Sequence, residues 1–184
     1  FISTADRGET SPRSAWGTEV VAAYDLKDVS AISKWAPSIT AAYIYLSGES
    51  RDKTGKKSYR GWDSMFEDQT FGHLINAVMG FSNSHLLGVS LKAKPATDLT
   101  ARLDYVTGWF AKRYPEGRAT ILSGVSTARQ FTMGKTAHFG QEVDLALSYD
   151  YTEDVQLSLL GGILLPTKAI NTNSANDFRQ RTAA

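Results

Sequence analysis

The sequence contains no cysteine, which excludes structural disulfides, Cys-ligated zinc and thiol catalysis. It contains no run of about 18 apolar residues, so no transmembrane helix is expected. It carries almost no net charge, with 20 Lys+Arg against 19 Asp+Glu. That balance leaves no polyanion footprint, and nucleic acid is not expected as a partner. Motifs of catalysis are missing as well. The three histidines, His73, His85 and His138, lie far apart without HExxH spacing, so no metal site is expected. There is no GxSxG elbow. Gly161-Gly162 falls inside an alternating stretch, where glycine allows bending or close packing and does not cradle phosphate. No catalytic residue and no cofactor are therefore expected, and the protein is not read as an enzyme. The chain opens at Phe1, not Met, and shows no signal peptide, as a mature product or a piece of a longer protein would.

What the sequence does contain is alternation. In residues 141–166, QEVDLALSYDYTEDVQLSLLGGILLP, Val143, Leu145, Leu147 and Tyr149 fall on one face and Glu142, Asp144, Ala146, Ser148 and Asp150 on the other. After Tyr151-Thr152-Glu153-Asp154 the pattern repeats, with Val155, Leu157, Leu159, Ile163 and Leu165 against Gln156 and Ser158. A period of two means β-strands, and arms of about ten residues are longer than the usual ~5–6. The same reading gives strands over Trp16–Leu26, Ser38–Ser47, His85–Ala93 and Leu99–Phe110, with a tight turn at Lys94-Pro95-Ala96-Thr97-Asp98. Both faces of Ser38–Ser47 are apolar, so its orientation stays open. Leu74–Phe81 fits a short helix or a strand. Residues 48–84 and 112–138 are long, mostly polar connections.

Hydrophobic content of 42% suits either a soluble core or a barrel in lipid, because a barrel needs apolar residues only at alternate positions. Three features favour the barrel. Short and long connections alternate, as periplasmic turns and extracellular loops do. Trp16, Tyr43, Tyr45, Trp109, Tyr149 and Tyr151 lie near strand ends, where an interfacial girdle would sit. Charges within strands keep to one face. The expected fold is an all-β antiparallel transmembrane barrel segment of about six long strands, a single unit over 1–184 that is incomplete at both ends.

Further residues narrow the family. Gly61-Trp62-Asp63-Ser64-Met65-Phe66-Glu67-Asp68-Gln69-Thr70 is followed by Asn76, then by LLGVSLKAKPATDLTARLDYVTGWFAKRY, then by GQEVDLALSYDYTEDVQLSLLGGILLP. The WD–x–MFEDQ loop and the two hairpins resemble the alginate-export-type family of Gram-negative outer-membrane β-barrels. The likeness spans roughly Trp16–Pro166 and corresponds to the C-terminal part of such a barrel. It implies a porin-like channel in the bacterial outer membrane that passes polymers or small solutes. It also implies lipid and lipopolysaccharide as surroundings and the rest of a barrel, or a protein partner, beside the sheet. Family members that export an anionic polysaccharide line the pore with basic residues. Here the expected lumen faces offer Lys92 and Arg102, offset by Glu19, Asp104, Glu142 and Asp144, so a small polar or anionic solute suits them as well as a polysaccharide.

Two constellations stand out. Arg102 with Asp104, and Glu142 with Asp144, are expected either to form a constriction with a transverse field or to pair as an ion ladder across neighbouring strands. Arg60, Trp62, Asp63, Phe66, Glu67 and Asp68 are expected to fold the long loop into the lumen, with Trp62 and Phe66 as its anchor. Asp63, Glu67 and Asp68 lack the spacing of a calcium loop. The competing readings are a barrel scaffold that holds a partner and a soluble β-sandwich binding module. The sandwich would bury Val143, Leu145, Leu157 and Leu159 against a second sheet.

Overall fold

A computed structural model describes residues 13–29, 31–48, 60–62, 72–79, 82–117, 119–120 and 131–169. Along the chain come β1 (Gly17–Asp25), a 3-10 turn (Ser33–Trp35), β2 (Ser38–Leu46), α1 (Leu74–Met79), β3 (Ser84–Ala96), β4 (Leu99–Phe110), β5 (Ala119–Thr120), β6 (Phe131–Thr132), β7 (His138–Asp150) and β8 (Gln156–Pro166). The fold is all-β and mostly antiparallel. Six strands form one sheet in the order β1-β2-β3-β4-β7-β8, and β5 and β6 pair separately. The large sheet is open, with β1 and β8 at its edges. No helix among the described residues is long and apolar enough to cross a membrane.

The expected strands are present, with small changes at their ends. β3 runs on through Lys94-Pro95-Ala96, so the turn narrows to Thr97-Asp98. The β3–β4 register shifts between Ala93 and Ala96, which takes Pro95, a residue without an N–H, out of the ladder. The ambiguous stretch Leu74–Phe81 is helical over Leu74–Met79. The short connections 26–37, 97–98 and 151–155 gather at one end of the sheet and the long ones at the other. Leu26 N–H donates to the Pro37 carbonyl at 2.8 Å and Tyr151 N–H to the Val155 carbonyl at 2.9 Å, closing two of the short ones.

Register extends the alternation across the whole sheet. Ala41, Val89, Tyr105, Val143 and Ile163 lie side by side on one face, as do Ile39, Leu91, Leu103 and Leu145. The other face carries Thr40, Ser90, Asp104, Asp144 and Gly162 in one row and Ser38, Lys92, Arg102 and Ala146 in the next. The apolar face is open: Val143, Leu145, Leu157 and Leu159 are 37%, 47%, 58% and 67% exposed. No second sheet covers them among the described residues.

The buried core sits on the polar face, at the end where the long connections leave. Ile44, Leu46, Leu86, Val106 and Phe110 turn inward there and meet Ile75 and Met133 from the connections and Ala169 from the segment after β8. This settles the orientation of β2. Its apolar residues serve two environments, Ile44 and Leu46 in the core and Ile39, Tyr43 and Tyr45 on the open face, so periodicity could not choose between them. The β4–β7 register shifts between Gly108 and Trp109. The extra residue, Phe139, is fully buried, with its ring edge-on to Phe110 at 5.8 Å. A bulge of this kind re-aims one side chain without disturbing the strand beyond it. Phe139→Ala should lower unfolding stability by about 3–5 kcal/mol, read from the denaturant midpoint. An unchanged midpoint would mean that the ring carries no packing.

Candidate functional site

The site begins with the alternation of β7, which sends its even-numbered residues to the polar face. Glu142 is 0% exposed, and a carboxylate there needs donors to offset its lost hydration. It receives three, all from backbone: His73 N–H at 2.6 Å, Leu74 N–H at 2.7 Å and Ile75 N–H at 2.5 Å. Two of these belong to the first residues of α1, whose N–H groups have no partner inside the helix. An anion at that end also opposes the helix dipole favourably. Gly72 makes the approach possible. Its φ is +91°, and a Cβ would meet Ile75 Cγ2 at 2.7 Å and Glu142 Oε2 at 3.3 Å. Ile75 is fully buried in the core. Glu142 therefore fastens the segment between β2 and β3 onto the polar face of the sheet.

Below that clasp lies a cavity of about 530 Å³, with Thr40, His73, Lys92, Arg102, Asp104 and Asp144 in its lining. Its charges are arranged in rows. Asp104 stands directly opposite Asp144, and Lys92 directly opposite Arg102. Like charges in facing positions are destabilising. Arg102 relieves one of them, its Nε lying 2.7 Å from Asp104 Oδ2. Asp144 is 1% exposed, and neither of its carboxylate oxygens has a hydrogen-bond partner among the described residues. On its other flank is Gly162, where an added Cβ would overlap Asp144 Oδ1. The glycine in β8 is thus a place made for the carboxylate, so the close packing expected at Gly161-Gly162 holds at Gly162 and not at Gly161, beside which lies open space.

Several expectations need correction. Glu142 is expected to line a watery lumen, but it is sealed in and engaged by the backbone of His73 and of the first residues of α1. Asp144 is also buried, because Gly72 and His73 help to roof the cavity beside it. No ion ladder crosses the strands at these positions: the Arg102–Asp104 pair lies within β4, Asp104 faces Asp144 across β4 and β7, and Glu142 faces Val106. Lys92 and Arg102 do reach the cavity. Glu19 shares the polar face of β1 but is exposed near the sheet edge, outside the cavity lining. Of the loop residues, Trp62 packs against the core as an anchor. Its N–H donates to the Ser47 carbonyl at 2.8 Å. Arg60 is exposed, and its carbonyl accepts from Ser47 Oγ at 2.9 Å. Asp63, Phe66, Glu67 and Asp68 lie outside the described residues.

The histidines do separate jobs. His73 leads into α1. His85 Nδ1 lies 2.6 Å from the Tyr43 hydroxyl. His138 Nε2 lies 2.9 Å from Thr107 Oγ1, and its ring stacks on Trp109 at 5.3 Å. Among the described residues no group of three or more His, Asp or Glu is placed to hold a metal ion. No family model matches the chain, and no curated protein matches it.

Two variants test the clasp and the carboxylate berth. Glu142→Gln should expose the amides of His73, Leu74 and Ile75 to hydrogen exchange roughly 10- to 100-fold faster, since it removes charge-assisted bonds of about 1.5–3 kcal/mol each. Gly162→Ala should destabilise by about 1–3 kcal/mol through overpacking. Adding Asp144→Ala should return most of that loss, because the two sites share one space. Additive effects in the double variant would contradict the shared berth.

Proposed function

We propose that this sheet forms part of the wall of a porin-like β-barrel in a bacterial outer membrane. Its apolar face would meet lipid and its polar face a hydrated lumen. The observation that carries this reading is the exposure of large apolar side chains across all six strands, while Glu142 and Asp144 on the opposite face are buried. Open apolar surface on this scale marks a membrane or an interaction surface. The chemistry along the strands agrees. Trp16, Tyr45, His85, Trp109 and His138 lie near one end of the sheet, with Trp16–Tyr45 and Tyr45–His85 ring centroids at 4.5 and 4.8 Å. Tyr24, Tyr149 and Tyr151 stand exposed near the other. From Trp109 to Leu99 the strand rises about 33 Å, or about 25 Å vertically at a usual barrel tilt, the height of an outer-membrane apolar band.

The motifs that resemble the alginate-export-type family point the same way. In lipid the free edges of β1 and β8 require partners, so closure would come from further strands or further copies. The segment 72–79, held on the polar face by Glu142, would narrow the lumen. Passage would be passive diffusion. The mixed charges of Lys92, Arg102, Asp104 and Asp144 suit a small polar solute better than a uniformly basic track for an anionic polysaccharide would require. A sandwich or partner-holding scaffold would instead cover the apolar face with protein.

Insertion of the protein into liposomes and the conductance it confers test the reading. Leu145, near the middle of the band, provides the control. Leu145→Arg places a charge toward lipid at about 2–4 kcal/mol and should abolish insertion and conductance together. Wild-type protein that stays soluble and monomeric without detergent would overturn the barrel.

A further inference from the structure

We infer that the rim where β4, β7 and β8 meet the long connections binds the phosphates of a phosphorylated glycolipid of the lipid A class. This rests on the outer-membrane reading of the apolar face and deepens it by naming the lipid and the residues that hold it. Four basic residues come together there from three stretches of chain. Arg113 Nη1 donates to the Lys135 carbonyl at 3.0 Å. Lys112 is fixed by the buried Asn83: its N–H donates to Asn83 Oδ1 at 2.7 Å and its carbonyl accepts from Asn83 Nδ2 at 2.9 Å. Gly134 N–H donates to the Ala169 carbonyl at 2.7 Å, and a Cβ on Gly134 would overlap the Lys168 carbonyl, so Lys168 is seated close to Lys135. Lys112, Arg113, Lys135 and Lys168 are all exposed. Residues 110–117, 132–138 and 166–169 hold a single acid, Glu116. It stands 3.7 Å from Lys135 Nζ, and an exposed pair of that kind contributes little.

Charge and place together select the partner. The opposite ends of the same strands are acidic: residues 97–98 and 150–156 hold Asp98, Asp150, Glu153 and Asp154 and no base. The basic character thus belongs to one end and not to the sheet. That end also finishes the apolar face with Trp109, whose ring stacks on His138 at 5.3 Å. Aromatic rings of this kind suit the level between hydrocarbon and headgroups. A polyanion in solution would use the bases alone. A lipid uses both surfaces, its acyl chains against the open apolar face and its headgroup at the rim. Each Lys or Arg near a charged lipid surface strengthens binding by about fivefold. Arg presents forked donors to phosphate and Lys a compact charge. Four bases spread over three strand ends match a headgroup with two phosphate monoesters better than the single diester of a phospholipid.

The test is native mass spectrometry of the full chain in detergent micelles. The probes are diphosphoryl lipid A, the same lipid stripped of its phosphates, and a phosphatidylglycerol. Retention of diphosphoryl lipid A over both others is expected. Lys135→Gln and Lys168→Gln should each weaken it about fivefold, and the double variant roughly 25-fold. Lys94→Gln, which removes an exposed base toward the other end of the sheet, should leave it unchanged. All three side chains are exposed, so the variants read the site without risk to the fold. Equal retention of the stripped lipid or of phosphatidylglycerol, unchanged retention in the double variant, or an equal loss in Lys94→Gln would overturn the assignment. Dextran sulfate bound as tightly as lipid A would also overturn it, by making the rim a site for soluble polyanions. Bilayer conductance of the same preparation separates the two readings. Normal conductance without preference for diphosphoryl lipid A defeats the lipid site alone, and that preference without conductance defeats the channel alone.

Discussion

Six strands in unbroken antiparallel order share one polarity, and the apolar half of that polarity stays exposed. Everything else in the molecule is arranged around this constraint. Because the open face takes no part in the internal packing described, the core has to be built on the face that carries the charges. It is built at one end of that face, from inward-turned residues of the strands, from Ile75 and Met133 of the long connections and from Ala169 just after β8. The short connections at the opposite end contribute no buried apolar residue to it. The difference in connection length is therefore tied directly to where the protein can be packed.

The polar face is divided along the strands by this packing. Ile44, Leu86 and Val106 mark the apolar half, and Ser38, Lys92 and Arg102 the charged half. Glu142 stands at the boundary. Its carboxylate belongs by position to the polar row pattern but works inside the core, where three backbone N–H groups replace water. A neutral side chain of similar size could fill the space, but it could not satisfy three converging donors at once. That geometry requires Gly72 in the left-handed region and Ile75 driven into the core, so one charge organises the turn, the helix start and the roof of the cavity.

Below the boundary the charges are not arranged for stability. Asp104 opposes Asp144 and Lys92 opposes Arg102, where exchanging one member of each pair would have given two cross-strand ion pairs. The sheet accepts this because Arg102 bends along its own strand to Asp104 and because Gly162 leaves room for Asp144. Three local adjustments, namely an intrastrand pair, a glycine berth and a helix start, thus surround the buried Asp144 carboxylate.

The sequence by itself determined the strands, their lengths, their alternate faces and the placement of Lys92, Arg102, Asp104, Glu142 and Asp144 on one side of the sheet. These follow from a period of two, which is local and survives wherever each face meets one environment. It failed on β2, whose Ile44 and Tyr43 are both apolar for different reasons, one in the core and one on the open face. A period of two also carries no sign of the bulge that buries Phe139, because one inserted residue breaks the alternation there. What the tertiary structure alone decided was the role of each charge. Glu142 meets its donors 67 to 69 residues away in sequence, and Asp104 meets Asp144 across a connection of nearly thirty residues. Periodicity assigns a side chain to a face, but whether that face is wet, sealed by a helix start or crowded by a like charge depends on register and on long-range packing, which no local pattern encodes.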